Sequence, residues 1–563
     1  MIYHCEDHTC NYWDEGEKLP ERCPQCGRKL LRANEADMTG DDWTALGNTL
    51  WYAEASDKKR MVDCFRKAAY LGSAWGVCNL GICMEQGNGV EADPVQAFWL
   101  YQQAVEMGSL NAVCCLGVCY QYGIGTAPDA KQAAELYCKA AEYGSPRGQM
   151  LLARAFHDGI GVEADAAEAV HWVRAAAYQR YGEGMHRLGV CYEYGDGVEQ
   201  NWERAVHWFR EAAESGVSAA MTDLGYCYEK GCGVEQSWEQ AFSWYRRGAE
   251  CGYPVSMSNL GLCYKRGYGV EQNWQEAVKW YEQGAQCGDL QSMHNLARCY
   301  ERGEGVEQNE DRALYWYRRG AEAGSDYCMY CLGWNYSNGE GVEQNMTEAI
   351  RWYTAAAEGG NADAMHNLGW HYDHGEGVEQ DMKKAICWYE RAAEQNHPAA
   401  MNSLGECYAM GRGVPRDLET AMEWYRRAAE LGEAMADYNM GWHLEQAGKL
   451  SEAYAHYRKA ADGNDDSAWW ALGRFYENGV VVAQDGKEAR RCYETGEKLG
   501  SVKCKMRLAR CKLLGIGGRR AKKAGLDLCR QALELAKESS EKEDYGYEAE
   551  MNLLRRTIAE NES

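Results

Sequence analysis

The chain has 563 residues, 46% hydrophobic and 26% charged, a globular composition that excludes a disordered chain. Its formal net charge of −25 disfavours broad electrostatic binding of nucleic acid or anionic membranes, so a partner with basic segments is the natural expectation. The start, MIYHCEDHTC, lacks the basic and apolar regions of a signal peptide, and no apolar run approaches about 18 residues, so a cytoplasmic protein without a membrane span is expected.

The first predicted element is a cysteine cluster, HCEDHTCNYWDEGEKLPERCPQCGRKLL (4–31). Cys23-Pro-Gln-Cys26-Gly aims two thiolates at one metal, and Cys5 and Cys10 complete a tetrahedral four-thiolate set. The segment resembles a zinc ribbon or rubredoxin-like module, which implies structural zinc, in preference to iron, on Cys5, Cys10, Cys23 and Cys26. Its first pair is separated by four residues where two is usual, so His8 is an alternative ligand to Cys5. A segment this short has no core unless metal supplies it. No βαβ pattern surrounds the Cys-x-x-Cys, which disfavours a redox motif. Residues 1–32 are therefore expected to form a separate metal-binding module.

A repeat then fills the chain. Leu80, Leu116, Leu152, Leu188, Leu224, Leu260, Leu296, Leu332, Leu368, Leu404 and Met440 lie 36 residues apart, with less regular units at Leu46, Leu472 and Leu508. Each of these fourteen units predicts two helices. In the first, Ala364, Leu368, Gly369 and Tyr372 share one stripe at about 100° per residue. Gly375-x-Gly377-Val378 ends that helix, because a left-handed residue is needed past its last turn. The second helix carries Ala385, Trp388, Tyr389, Ala392 and Ala393, and such helices end at glycines like Gly324 and Gly360.

The pattern, as in LGWNYSNGEGVEQNMTEAIRWYTAAAEGG (332–360), closely resembles the Sel-one-like repeat (SLR) family, relatives of tetratricopeptide repeats. The resemblance implies an all-α fold: an α/α solenoid of about fourteen helix pairs over residues 39–530, wound as a right-handed superhelix with its first helices on a concave surface. It also implies an adaptor that assembles protein complexes. The Leu46 and Met440 units lack Gly-x-Gly, so a departure from the regular superhelical geometry is expected at both. The remainder, 531–563, suits capping helices or a tail, since solenoid ends need polar caps.

Of 26 cysteines, eight stand three residues after the anchor: Cys83, Cys119, Cys191, Cys227, Cys263, Cys299, Cys407 and Cys511. That is the edge of the packing stripe, where a small soft hydrophobe fits. Equivalent positions of neighbouring units should lie about 10 Å apart, beyond disulfide reach of about 7 Å between Cα atoms, so these are read as core thiols. The Gly-x-Gly loop is not a phosphate cradle: no Lys-Ser/Thr follows it, and it recurs in ten units.

What remains is the face opposite the packing stripe. One residue before the anchor stand Asn79, Asn259, Asn295, Asn367 and Asn439; two residues after it stand Trp334, Trp370, Glu406 and Trp442. Large exposed aromatics concentrate binding energy. A protein- or peptide-binding groove across 330–445 is therefore expected, using Asn295, Trp334, Asn367, Trp370, His374, Glu406, Asn439 and Trp442. His371 and His374 could both meet a metal at i, i+3, but Asp373 points about 100° away from His374, so no catalytic residue is assigned. The leading expectation is a scaffold. The alternatives are a hydrolase of the cysteine-rich SLR type acting on β-lactam-like substrates, distinguished by turnover of such probes, and a zinc-ribbon nucleic-acid regulator, distinguished by salt-dependent binding.

Overall fold

A computed structural model describes residues 2–5, 13–15, 30–33, 35–52, 57–542 and 548–562. At the N-terminus three short strands, β1 (Ile2–Cys5), β2 (Trp13–Glu15) and β3 (Leu30–Ala33), form an antiparallel sheet in the order β2-β1-β3. Cys5 ends β1; the other expected ligands, Cys10, Cys23 and Cys26, and the alternative His8, lie outside the described residues. Helix pairs then follow without interruption, from Gly40–Tyr52 with Lys58–Tyr70 to Val502–Leu514 with Lys522–Lys542. These are 14 pairs among the described residues, and one further helix, Glu548–Glu562, closes the chain.

The repeated segment Gly-x-Gly-Val-Glu-Gln-Asn/Asp is a double cap. In the Leu368 unit, Gly375 at φ 72° ends helix Ala362–His374, its N–H donating to His371 O. Five residues on, Gln380 Nε2 donates to Asp373 O at 2.6 Å, satisfying a second orphan carbonyl of the same helix. The next residue, Asp381, is the N-cap of helix Met382–Glu394, accepting from the Lys383 and Lys384 amides. Gln200, Gln236, Gln272 and Gln344 repeat the arrangement in their own units.

The second loop glycine joins one unit to the next. Gly197 has φ 67°, and a Cβ there would collide with the Ala166 carbonyl, in the first turn of the preceding unit's second helix. In nine units a buried tyrosine of the second helix lies over the glycine that follows the anchor, as Tyr245 does over Gly225 and Tyr281 over Gly261, while Phe65 and Phe209 take that place over Gly47 and Gly189. The phenol reaches across to a polar residue near the end of the first helix: Tyr245 donates to Glu229 at 2.9 Å and Tyr137 to Gln121 at 2.7 Å. The eight cysteines three residues after the anchor are all buried, as expected of core thiols. The Met440 unit replaces its Gly-x-Gly loop by a short turn through Gly448 at φ 77°. It still places Tyr457 over Gly441 and donates from that phenol to Glu445.

The chain divides into two compact units, Met1–Ser292 and Met293–Ser563. In the second, helix Glu548–Glu562 packs Met551 and Leu554 onto Met506, Ala509 and Leu513. Its Glu550 pairs with Arg507 at 2.7 Å and accepts from Trp470 Nε1 at 3.3 Å. The expected boundary at 530/531 falls inside helix Lys522–Lys542, the second helix of the last pair.

Candidate functional site

Three consecutive first helices, Asp326–Asn338, Ala362–His374 and Pro398–Met410, and the next, Ala434–Gln446, keep one register, so the position two residues after the anchor falls on equivalent faces. Trp334, Trp370 and Trp442 are 44%, 37% and 43% exposed there. The Trp370 and Trp442 rings are each held by their own helix. Trp370 stacks on His374 with ring centroids 4.3 Å apart and planes at 22°. His374 Nδ1 lies 3.0 Å from the Trp370 carbonyl, which fixes that nitrogen as the donor and orients the pair. Trp442 meets His443 edge-on at 4.7 Å, and His443 in turn stacks on Tyr425. Asn338 Nδ2 donates to the Trp334 carbonyl at 3.0 Å.

The asparagine row behaves differently. Asn439 Nδ2 donates to Asn402 Oδ1 at 3.0 Å and to Glu406 Oε1 at 3.2 Å, and Asn402 Nδ2 donates to the same Glu406 oxygen. Burial raises the Glu406 carboxyl above the usual range, opposed by Arg412. Arg412 Nη1 lies 3.0 Å from Asp373 Oδ1, and its other terminal nitrogen lies 3.8 Å from Glu406. Glu406 and Asn439 thus belong to a network that ties three successive first helices together. Asn367 hydrogen bonds to Tyr330 and Tyr353, and Asn79 to Asn48. Asn295 is half-buried.

Beside Trp334 the surface deepens into a cleft of about 440 Å³, with Tyr317, Tyr327, Glu301, Glu340 and Asp363 among its walls. His294 stacks on Tyr327 at 5.7 Å. Burial pushes the Glu301 carboxyl up, against the pull of Arg302. The walls therefore pair aromatic faces with three carboxyl groups, alongside Arg298 and Arg302.

The His371–Asp373–His374 grouping does not converge. His371 is buried with Nδ1 at 3.1 Å from the Glu376 carbonyl, and burial holds its pKa down. Asp373 is buried against Arg412, while His374 lies on Trp370. Among the described residues no group of three His, Cys, Asp or Glu side chains could hold a metal ion. No described helix is long and apolar enough to cross a membrane.

Comparison with known proteins adds the following. The profile of the Sel1 repeat matches twelve segments: 76–109, 112–145, 146–181, 182–217, 218–253, 254–289, 290–325, 326–361, 362–397, 398–433, 434–465 and 468–501. Among solved structures, the chain is similar to a protective antigen of uropathogenic Escherichia coli that displays an SLR fold, at 28% identity. That likeness covers 82% of this chain and 94% of the antigen, with a TM-score of 0.52. It is also similar to a Sel1 repeat protein from Oxalobacter formigenes, at 32% identity over 43% of this chain and 96% of the other, with a TM-score of 0.40. No curated protein matches the chain. Helix pairs with the same register extend beyond the matched segments at both ends, through the Leu46 and Leu508 units.

Proposed function

The chain belongs to the Sel1 repeat family, and from that premise we propose that it is a protein-interaction scaffold whose first-helix face between residues 326 and 446 binds a protein or peptide segment. The observation that carries this reading is the row of Trp334, Trp370 and Trp442, exposed at one register position, with Trp370 and Trp442 oriented by their own helices. Indoles held rigid in this way lose little entropy when a partner covers them, which is why tryptophan dominates interface energetics. Asn367 and His374 flank the row as polar contacts; Glu406 and Asn439 act by fixing the helices that present it. The carboxyl groups of the cleft beside Trp334 and the net charge of −25 favour a partner with basic segments.

Trp370→Ala and Trp442→Ala test the proposal. Each should leave the helical fold intact and weaken capture of partners from the native cell by tenfold or more. An unchanged partner set from both folded variants sinks it. The reading also keeps a structural zinc on Cys5, Cys10, Cys23 and Cys26, on sequence grounds; metal analysis of the purified chain should find about one equivalent of zinc, lost in Cys23→Ser/Cys26→Ser.

A further inference from the structure

Three neighbouring first helices, Ala74–Gln86, Leu110–Tyr122 and Pro146–Asp158, bring Cys78, Cys115 and Arg147 together. The two cysteines are not equivalent in the repeat: Cys78 stands two residues before its anchor and Cys115 one before. Their side chains therefore converge across the helix interface instead of running parallel, and the thiols hydrogen bond to each other. Arg147 Nη1 lies 3.6 Å from Cys115 Sγ and donates to Asn111 Oδ1 at 2.7 Å. Asn111 Nδ2 in turn donates to Cys78 Sγ at 3.8 Å, closing a four-residue ring. Cys78 is fully buried and Cys115 is 5% exposed, while Arg147 reaches the surface above them.

We propose that Cys78 and Cys115 form an oxidisable dithiol for peroxide, with Cys115 as the nucleophile, Arg147 as its positioning cation and Cys78 as the resolving thiol. The cluster divides the two roles. The Arg147 guanidinium stands at Cys115 and not at Cys78, and the Cys78 hydrogen bond together with that charge lowers the Cys115 thiol, against burial and Glu85. Tyr101, which donates to Glu85 at 2.5 Å, Cys114 and Cys119 also face the pair. The packing cysteines Cys83 and Cys119, which have no such cation, are instead raised to about 12 by burial. A thiolate beside a guanidinium with a second thiol in contact is the arrangement that peroxide oxidises selectively.

In the first step the Cys115 thiolate attacks one oxygen of hydrogen peroxide: an S–O bond forms, the O–O bond breaks, and the departing hydroxide takes a proton to become water. In the second, the Cys78 sulfur gives up its proton and attacks the Cys115 sulfur. The S–S bond forms, the S–O bond breaks, and a second water leaves. Two electrons from the thiols reduce one peroxide, and the product joins two neighbouring first helices covalently.

The test treats the full-length reduced protein with hydrogen peroxide at pH 7, blocks remaining thiols and maps peptides without reduction. A Cys78–Cys115 linked peptide, lighter by two hydrogens and cleaved by dithiothreitol, should appear before Cys83 or Cys119 is oxidised. Arg147→Gln should slow its formation about tenfold at pH 7 and by less at pH 9, where the variant's thiolate fraction has grown while the wild type's has little left to gain. Cys78→Ser should leave a Cys115 sulfenic acid trapped by dimedone. The proposal is overturned if no linked peptide forms while the exposed Cys251, Cys287 and Cys387 oxidise, or if Arg147→Gln reacts at the wild-type rate at both pH values.

Discussion

The ring of Tyr389 covers Gly369 so closely that a Cβ on Gly369 would stand 2.6 Å from Tyr389 Cε1. The glycine of the Leu-Gly pair is thus set by the tyrosine of the same unit's second helix. Alanine is the better helix former by about 1 kcal/mol, yet overpacking a filled core costs typically 1–3 kcal/mol. Gly369→Ala should therefore lower the denaturant midpoint, with faster hydrogen exchange concentrated in 362–394. A raised midpoint would show that the tyrosine can move aside.

The two glycines of one loop should differ in tolerance. Gly195, at φ 75°, has Gln200 Cβ as the nearest atom to its missing Cβ, 3.3 Å away, a contact that a small local shift relieves. Gly197, at φ 67°, faces the Ala166 backbone oxygen, which cannot retreat without separating two units. Asn396 and Asn464 already hold φ of 60° and 66° at turns elsewhere in the chain, so asparagine tolerates the conformation itself. Gly195→Asn should cost about 1 kcal/mol and Gly197→Asn about 3 kcal/mol, read by thermal unfolding. Equal costs would refute the assignment of Gly197 to the contact between units.

The fold was legible because a 36-residue period repeats the same neighbours, so one unit's stripe describes every unit. Exposure of Trp334, Trp370 and Trp442 followed from the same register. Features that join different positions of neighbouring units were not legible. The register compares like with like and cannot show that Asn439 reaches Asn402 and Glu406, or that Cys78 meets Cys115. The Gln and Asn/Asp that follow Gly-x-Gly-Val-Glu went unread in the sequence, because they cap two different helices and only hydrogen-bond direction separates the roles.

Stability should fall in mild acid through His366. Its ring stacks on His397 at 5.1 Å and lies against Ser403, and burial, then the His397 charge, pushes it down to about 4. Folding thus favours the neutral ring: the contribution is fully present above the unfolded value near 6.5 and is lost as pH falls from there toward 4. His371 shifts in the same direction, again mainly through burial, and adds to the loss. Asp363 is held low by His397 and loses its contribution only below the usual carboxylate range. The wild type should lose on the order of 2 kcal/mol through His366 across this window. His366→Gln should show a flatter profile of melting temperature against pH, and parallel profiles would remove His366 from the account.

Arg412 should support both stability and binding. It lies between the buried Asp373 and Glu406, on the two helices that also carry Trp370 and the network reaching Asn439. Arg412→Met leaves the buried Asp373 and the half-buried Glu406 without their cation. Because the arginine is partly exposed, the cost should be about 1–3 kcal/mol, below that of breaking a fully buried pair. Glu406, already raised by burial, would rise further above its unfolded value. The variant therefore gains relative stability as pH falls through that raised value, and the gap to wild type should narrow between pH 7 and pH 5. Partner capture should weaken with it at pH 7, since the helices presenting Trp370 and Trp442 lose the network that aligns them. A gap independent of pH would mean that Arg412 acts only through the packing of its alkyl chain.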